Sequence, residues 1–141
     1  MELRKIVFRG KSKHTGEWVY GSYIANYNNN DWIVQYGDFF AVDSDTVGQF
    51  TGFYDKDGKA IYEGDILHYV SKKVVYIVYY NIIRCSFNLV CLNNVDEIIF
   101  KNSWIDVLLY SKVLGNKYDN PELLEKRIHY GKKSKTIHQK R

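Results

Sequence analysis

Two acidic residues that flank a glycine are the side chains in this chain that most resemble an acid–base pair. In Glu63-Gly64-Asp65 the acids are two positions apart, and residues i and i+2 of a strand share one face. Two carboxylates on one face can divide the roles of general acid and general base. Acids beside a glycine at a corner also hydrogen-bond backbone amides and fix the turn. We favour the turn, and we predict no catalytic residue.

Two further segments resemble nucleotide and calcium sites but lack required positions. Gly10-Lys11-Ser12 matches the end of a phosphate-binding loop, which also needs a glycine five positions earlier, where Lys5 stands. Residues 55–58, with the sequence DKDG, resemble part of a calcium loop. In that alignment the first and last ligand positions are occupied by Phe53 and Gly64, which offer no side-chain oxygen. The first segment is interpreted as part of a hairpin loop and the second as a turn, and no cofactor is predicted.

The cysteines and histidines do not have the spacing of a metal site. Cys85 and Cys91 lie on one predicted strand, about 20 Å apart at roughly 3.3 Å per residue. That separation exceeds the roughly 7 Å that a disulfide can span. We therefore predict two buried, reduced thiols and no bound metal. The four histidines are scattered along the chain: His14, His68, His129 and His138.

Positive charge is concentrated at the C terminus. Residues 1–125 contain 13 Lys and Arg against 16 Asp and Glu, a net charge of −3. Residues 126–141 contain 7 basic residues and no acidic residue, a net charge of +7. Such a cluster can neutralise nucleic-acid phosphates, and the alternative, which we favour, is a tail that only improves solubility. The residues predicted to contact phosphates are Lys126, Arg127, Lys132, Lys133 and Lys135.

Aromatic content and turn signals predict a mainly-β protein. The 141 residues include 13 Tyr, 7 Phe and 3 Trp but 1 Pro, a composition that favours strands. Alternating apolar residues on both sides of Asp57-Gly58 predict a hairpin over residues 49–62. A second hairpin is predicted with its turn at Gly37-Asp38. Further strands are predicted at residues 74–80, 84–92 and 105–114, and residues 95–101 fit either a strand or a helix.

Three sequence blocks occur together between residues 8 and 124. The first is FRGK followed by GEWVYG, the second is TVGQFTG followed by D-x-x-G and IYEGDI, and the third is VLGNKYDNPELL. Together these blocks resemble the phage-encoded YopX family, whose biochemical function is unknown. The resemblance implies a phage or prophage origin and a β-rich fold, and it transfers no active site.

The predicted fold is an N-terminal antiparallel sheet with hairpins, a small SH3-like barrel and a short C-terminal helix. A glycine–aspartate corner that leads into an apolar strand, such as Gly64-Asp65, occurs in SH3-like barrels. The helix is predicted from Asn120 as its N-cap and Pro121 in its first turn. The predicted boundaries are residues 1–45 for the N-terminal β subdomain, 46–118 for the barrel region, 119–131 for the helix and 132–141 for the basic tail.

Three classes of function are weighed. The first is a noncatalytic phage accessory module that self-associates and contacts phage or host proteins, because its aromatic side chains exceed what one small core can bury. The second is nucleic-acid binding through the basic tail, with Trp18, Trp32 and Trp104 either packed in the protein or available for stacking on bases. The third, an enzyme, lacks a nucleophile, base and oxyanion constellation. No apolar run approaches the roughly 20 residues that span a bilayer, so we expect no membrane association and a location in the host cytoplasm.

Overall fold

The computed structural model describes residues 3–70, 74–92 and 104–124, and these residues form two compact units. The first unit comprises residues up to Phe53 together with Ala60–Glu63. The second comprises Tyr54–Lys59 and the described residues from Gly64 onward. Both units contain an antiparallel sheet, and the second unit also contains a short helix, so the mainly-β prediction is confirmed.

The first unit is built on a five-stranded antiparallel sheet in the order β1-β2-β3-β4-β5. An additional pairing between β1 and β4 makes the first four strands a closed ring of hydrogen-bonded neighbours. β4 is 17 residues long, which allows it to pair in turn with β3, with β1 and with β5. The strands are β1 (Phe8–Ser12), β2 (Trp18–Tyr27), β3 (Asn30–Gln35), β4 (Asp38–Tyr54) and β5 (Ala60–Tyr62).

Gly21 is the residue at which β2 changes partner. Residues 18–21 of β2 pair with β1, and residues from Ser22 onward pair with β3. A Cβ atom at Gly21 would overlap the backbone carbonyl of Val34 on β3. Glycine is used where two backbones must approach this closely at the corner of a small barrel.

The core of the first unit lies on the inner face of this ring. Val19, Ile33 and Val42 are buried at its centre. The outward or inward direction of each side chain follows from the alternation along a strand, in which neighbouring residues face opposite sides. The partly buried side chains that pack against this core are Phe8, Tyr23, Phe40 and Val47.

The second unit contains a four-stranded antiparallel sheet in the order β8-β7-β6-β9. Its buried cluster consists of Tyr69, Val74 and Tyr76, against which Leu89 and Cys91 pack. The elements are β6 (Asp65–Tyr69), β7 (Val74–Asn81), β8 (Ser86–Cys91), the helix α1 (Trp104–Tyr110) and β9 (Ser111–Asn116).

The structure divides the chain differently from the predicted boundaries. The boundary predicted after residue 45 falls inside β4, which continues without a break to Tyr54. The closed ring of pairings lies in β1 to β4, ahead of most of the region 46–118 in which an SH3-like barrel was predicted. The reason is the pairing of β1 with β4, in which the paired residues are 30 to 41 positions apart, a contact that local patterns do not reveal.

The strand predicted at residues 105–114 is a helix followed by a strand. α1 occupies Trp104–Tyr110, and only from Ser111 does the chain pair with β6. The run WIDVLLY has no polar–apolar alternation, and a short apolar run does not by itself distinguish a strand from a buried helix. Asp106 in the first turn complements the positive end of the helix dipole.

The C-terminal helix predicted from residue 119 is described only in part. Residues 122–124 are helical, and Leu123 and Leu124 donate backbone hydrogen bonds to Asn120 and Pro121. The Asn120 carboxamide does not cap this turn, because its oxygen accepts from the backbone N–H of Asn116 at 3.2 Å. Residues 95–101, the rest of the predicted helix and the basic tail at 132–141 lie outside the described residues.

Candidate interaction surface

The outward-facing side of β2, β3 and β4 is apolar. Val34 is paired with Phe39, and Trp32 is paired with Ala41 and Ile24. These five residues alternate with the inward-facing core residues, so they point away from the core. We call them the outer face; four are half-buried and Phe39 is 61% exposed. Strands that are apolar on both sides are typical of sheets that are covered on both faces. An apolar face that remains open to solvent, as at Phe39, therefore marks a contact site.

A strained aromatic residue lies in the turn beside the outer face. Gln35 pairs with Asp38, so the turn residues are Tyr36 and Gly37 rather than the predicted Gly37-Asp38. Their φ angles are +50° and +84°, and such two-residue turns favour Asn-Gly or Asp-Gly. A left-handed conformation costs an ordinary L-residue roughly 1–2 kcal/mol. The Tyr36 side chain is also 98% exposed, so no burial within the described chain offsets this cost.

An open groove adjoins the same hairpin. Its volume is about 430 Å³, within the roughly 300–1,000 Å³ typical of sites that hold a small ligand or a side chain. One wall is aromatic and the other carries polar and basic groups. The lining residues are Ser12, Lys13, His14, Phe39, Phe40 and Ala41.

The polar wall of the groove is formed by the end of β1 and the hydrogen-bonded loop that follows it. The Ser12 hydroxyl accepts from the backbone N–H groups of His14 and Thr15 at 3.2 and 3.3 Å. Gly16 N–H donates to the Ser12 carbonyl, and Lys13 N–H donates to Ala41. The loop amides are therefore used within the protein, and Gly10, Lys11 and Ser12 themselves belong to β1, so the predicted hairpin loop begins only after Ser12 and does not have the form of a phosphate loop.

A second exposed apolar site is the turn between β7 and β8. Ile82 and Ile83 are 82% and 95% exposed. The Asn81 carboxamide oxygen accepts from the N–H groups of Ile83 and Arg84 at 3.0 and 3.1 Å, so a side chain of the flanking strand shapes the turn. Burying one isoleucine side chain is worth about 1.5–3 kcal/mol, so a partner that covered these two residues would gain that stabilisation.

Asp55, in the segment that resembles a calcium loop, is a structural carboxylate. Its two oxygens accept from the backbone N–H groups of Asp57 and Lys59 at 2.9 Å and of Val113 at 3.0 Å. Burial opposes the charged form, but these three amides outweigh it and hold the pKa of the Asp55 carboxyl below its ordinary value. The carboxylate thus fastens the turn at residues 55–59 to β9, and the interpretation of this segment as a turn is supported.

Glu63, the first acid of the suggested acid–base pair, is hydrogen-bonded to the backbone of Gln49. Its carboxylate accepts from Gln49 N–H at 3.0 Å, and its own N–H donates to the Gln49 carbonyl at 3.0 Å. A Cβ atom at Gly48 would lie 3.0 Å from the Glu63 carbonyl oxygen, so position 48 favours glycine. Arg9 donates to the same carbonyl at 3.2 Å. Asp65, the second acid, is only 2% exposed and pairs with Asn116 in the second unit.

Arg9, which sequence patterns do not single out, is a buried cation between two aromatic rings. Its guanidinium carbon lies 4.5 Å from the Trp18 ring centroid and 4.9 Å from that of Tyr62. Cation–π contacts of this kind contribute about 2 kcal/mol when desolvated. Lys11 approaches the Trp18 ring as well, at 5.4 Å. Trp18 is therefore engaged in the first unit, as the packing interpretation of the tryptophans predicts.

The other two tryptophans also have structural hydrogen bonds. Trp32 donates its indole N–H to the Tyr27 carbonyl at 2.8 Å. Trp104 donates to the Phe87 carbonyl at 3.2 Å, which ties α1 to β8. Indole N–H groups usually find such a partner when the ring is partly buried. These contacts favour packing roles for all three rings.

The cysteines differ from their prediction in one respect. Cys91 is half-buried in β8, but Cys85 lies in the β7–β8 turn, where it is exposed with φ +50°. The prediction of a buried Cys85 is wrong because Asn81 shapes a turn over the first residues of the predicted strand. No disulfide joins the two residues. Among the described residues, no group of three or more His, Cys, Asp or Glu side chains is arranged to hold a metal ion.

The residues predicted to contact nucleic acid lie outside the described residues. They are Lys126, Arg127, Lys132, Lys133 and Lys135. Within the part of the chain that the structure covers, no helix has the length and apolar character needed to cross a membrane.

Sequence reasoning missed the exposed apolar side chains of the two turns. The available signal was the dipeptide Tyr36-Gly37, in which a tyrosine occupies a position that favours asparagine. The chain does use asparagine at its other left-handed turn positions near the end of β2, namely Asn26, Asn28 and Asn29. Tyr36 departs from this local use of asparagine, as does Cys85 in the β7–β8 turn.

These features define a two-unit, mainly-β protein with exposed apolar turns and a strained aromatic turn residue. The chain belongs to the YopX protein family, whose model matches residues 7–125. The crystal structure of protein EF1440 from Enterococcus faecalis is similar in fold, with a TM-score of 0.53 and 22% sequence identity over 85% of this chain and 98% of that chain. The comparison with curated proteins gave no match.

Proposed function

We propose that this protein is a noncatalytic interaction module that self-associates and, as a phage or prophage product in the host cytoplasm, also contacts phage or host proteins. The observation that carries the proposal is the exposure of large apolar side chains, with at least eight exposed aromatic residues among those described. Exposed apolar side chains that lie together mark protein contacts, and Tyr36 and Phe39 lie on one hairpin. The contact uses a subset of the exposed aromatic residues, which are Tyr20, Tyr27, Tyr36, Phe39, Tyr54, Tyr79, Tyr80 and Tyr110.

The roles of the acidic residues support the noncatalytic part of the proposal. Asp55 and Glu63 both accept hydrogen bonds from backbone amides and so fix the positions of turns. A general acid or base must instead keep its carboxyl group available to a substrate. The side chains that suggested acid–base chemistry thus have structural uses.

Size-exclusion chromatography with light scattering tests self-association of the full chain. We expect the average mass to rise from that of one chain toward at least two as the concentration increases from about 1 to several hundred micromolar, a range that detects micromolar dissociation constants. Raising the salt concentration is expected to preserve or strengthen the association, because it rests on apolar contact. A constant monomer mass over the whole range would overturn the proposal of self-association.

Nucleic-acid binding through the basic tail is a second candidate, favoured by the +7 charge of residues 126–141. If it is correct, the full chain binds DNA or RNA at low salt and loses affinity steeply as salt rises, because phosphate contacts release counterions. A chain ending at residue 125 is the matched control and is expected not to bind. The absence of binding at low salt, or equal binding by the shortened chain, would rule this candidate out.

A further inference from the structure

The hairpin of β3 and β4 carries both a projecting side chain and a groove. Tyr36 projects from the turn with 98% of its surface exposed, so it does not fill the groove of its own chain. Phe39, which forms part of the groove wall, is three residues further along the same hairpin. When a projecting side chain and a groove lie side by side on one surface, a second copy related by a two-fold axis can fill the groove and cover the side chain at the same time.

The chemistry of the groove suits a tyrosine side chain. Phe39 can contact the ring, while Ser12, Lys13 and His14 offer polar partners for a phenol hydroxyl. The five residues of the neighbouring outer face carry no charge, so this part of the surface can lie against a second copy without opposing like charges. The strain of Tyr36 is also consistent with a role outside the isolated chain, since strained residues persist where function requires them.

We propose that two copies of this chain form a dimer through reciprocal insertion of Tyr36, which we call the exchange. This inference rests on the proposed self-association. The ring of each copy enters the groove of the other and packs against Phe39. An aromatic side chain has roughly 150–250 Å² to bury, so two rings and two groove walls account for on the order of 800 Å². This is below the roughly 1,200–2,000 Å² of stable complexes, and the dimer is therefore weak and concentration-dependent.

Sedimentation equilibrium of the full chain and two matched variants tests the exchange. Tyr36→Asn removes the ring and introduces the residue that the turn favours, so the variant folds. We expect its dissociation constant to rise at least about tenfold, as for a central aromatic contact. Tyr27→Asn makes the same change at another exposed tyrosine, 60% exposed in β2, and is expected to leave dimerisation unchanged.

A third variant tests the groove rather than the ring. Ala41→Arg places a long side chain in the groove and is expected to weaken dimerisation as Tyr36→Asn does, with thermal unfolding used to confirm that it folds. A mixture of the two variants retains one of the two insertions and is expected to associate more tightly than either variant alone.

The outcomes separate this inference from the broader proposal. A wild-type chain that stays monomeric would overturn self-association and the exchange together. A wild-type dimer that is unaffected by Tyr36→Asn, or equally weakened by Tyr27→Asn, would overturn the exchange and leave self-association through another surface, such as the β7–β8 turn. Loss of dimerisation in Tyr36→Asn alone, with restoration in the mixture, supports the exchange.

Discussion

Gly21→Ala is expected to lower the free energy of unfolding by about 3 kcal/mol, the upper end of the usual cost of overpacking. The added methyl group would overlap the backbone carbonyl of Val34, and neither backbone can move without disturbing the pairing of β2 with β1 and β3. A flexible side chain could rotate away from such a contact, whereas a carbonyl group within a sheet cannot. Urea unfolding followed by circular dichroism measures the change.

Ser22→Ala is the matched control for this prediction. Ser22 is the next residue of β2 and is exposed, and it pairs with Val34 on the side where β2 contacts β3. Its substitution is expected to change stability by less than about 0.5 kcal/mol, as for most surface positions. Equal stability of Gly21→Ala and the wild type would show that β2 and β3 do not approach each other as described.

Asp55→Asn is expected to lower the free energy of unfolding by about 2 kcal/mol, the scale of charge-assisted hydrogen bonds. An asparagine keeps one acceptor oxygen but turns an N–H₂ group toward one side of this site, where the backbone N–H groups of Asp57, Lys59 and Val113 now donate to the carboxylate. At least one of these N–H groups then faces another donor. Thermal or urea unfolding at neutral pH measures the loss.

The pH dependence of stability distinguishes the charge of Asp55 from its shape. Because its folded-state pKa lies below the ordinary value, the folded state favours the carboxylate. The stabilisation is complete well above the unfolded pKa of about 3.9 and is lost as the pH falls through the lower folded pKa. The wild type should therefore lose stability in this acid range more steeply than Asp55→Asn.

Asp57→Asn provides the control within the same turn. The Asp57 side chain is exposed and contacts Lys56 at 3.2 Å, a surface ion pair worth about 0–1 kcal/mol. Its substitution should leave both the stability at neutral pH and the slope in acid nearly unchanged. If both variants behaved alike, Asp55 would not be the group that fastens this turn to β9.

The blocks that identify the family mark places where another segment of the chain lies close against the backbone. Gly64 has φ +87°, and a Cβ atom there would lie 3.0 Å from the Tyr118 ring, so the second block contacts the third. A Cβ atom at Gly115 would overlap the Asn120 carboxamide, which closes the turn after β9. In the second block, the Thr46 hydroxyl bridges Lys11 N–H and the Asp43 carbonyl across a shift in register. Their residue types thus follow from folding requirements.

Local patterns were sufficient for the parts of the fold that depend on neighbouring residues. The hairpin over residues 49–62 was predicted correctly, because β4 and β5 are adjacent and the turn between them contains Asp57-Gly58. The tight bend at Gly64 was also predicted from a glycine that interrupts an apolar run. In both cases the signal was a residue that tolerates positive φ.

Patterns failed where distant contacts decide the structure. The pairing of β1 with β4 depends on segments far apart in sequence, and α1 depends on contacts such as that of Trp104 with Phe87. The outer face was missed because a run of apolar residues does not show which side of a sheet is covered. Tyr36 was missed because its turn lies one residue earlier than Gly37-Asp38 suggested.

Hydroxyl-radical footprinting of the full chain, read by mass spectrometry at low and high protein concentration, tests most directly whether association occurs through this hairpin. We expect oxidation of Tyr36 and Phe39 to fall as dimer forms, because both side chains become covered. Tyr27 and Tyr54, which are exposed elsewhere, serve as internal controls and should be oxidised equally at both concentrations. Unchanged oxidation of Tyr36 in a sample shown to be dimeric would contradict the account.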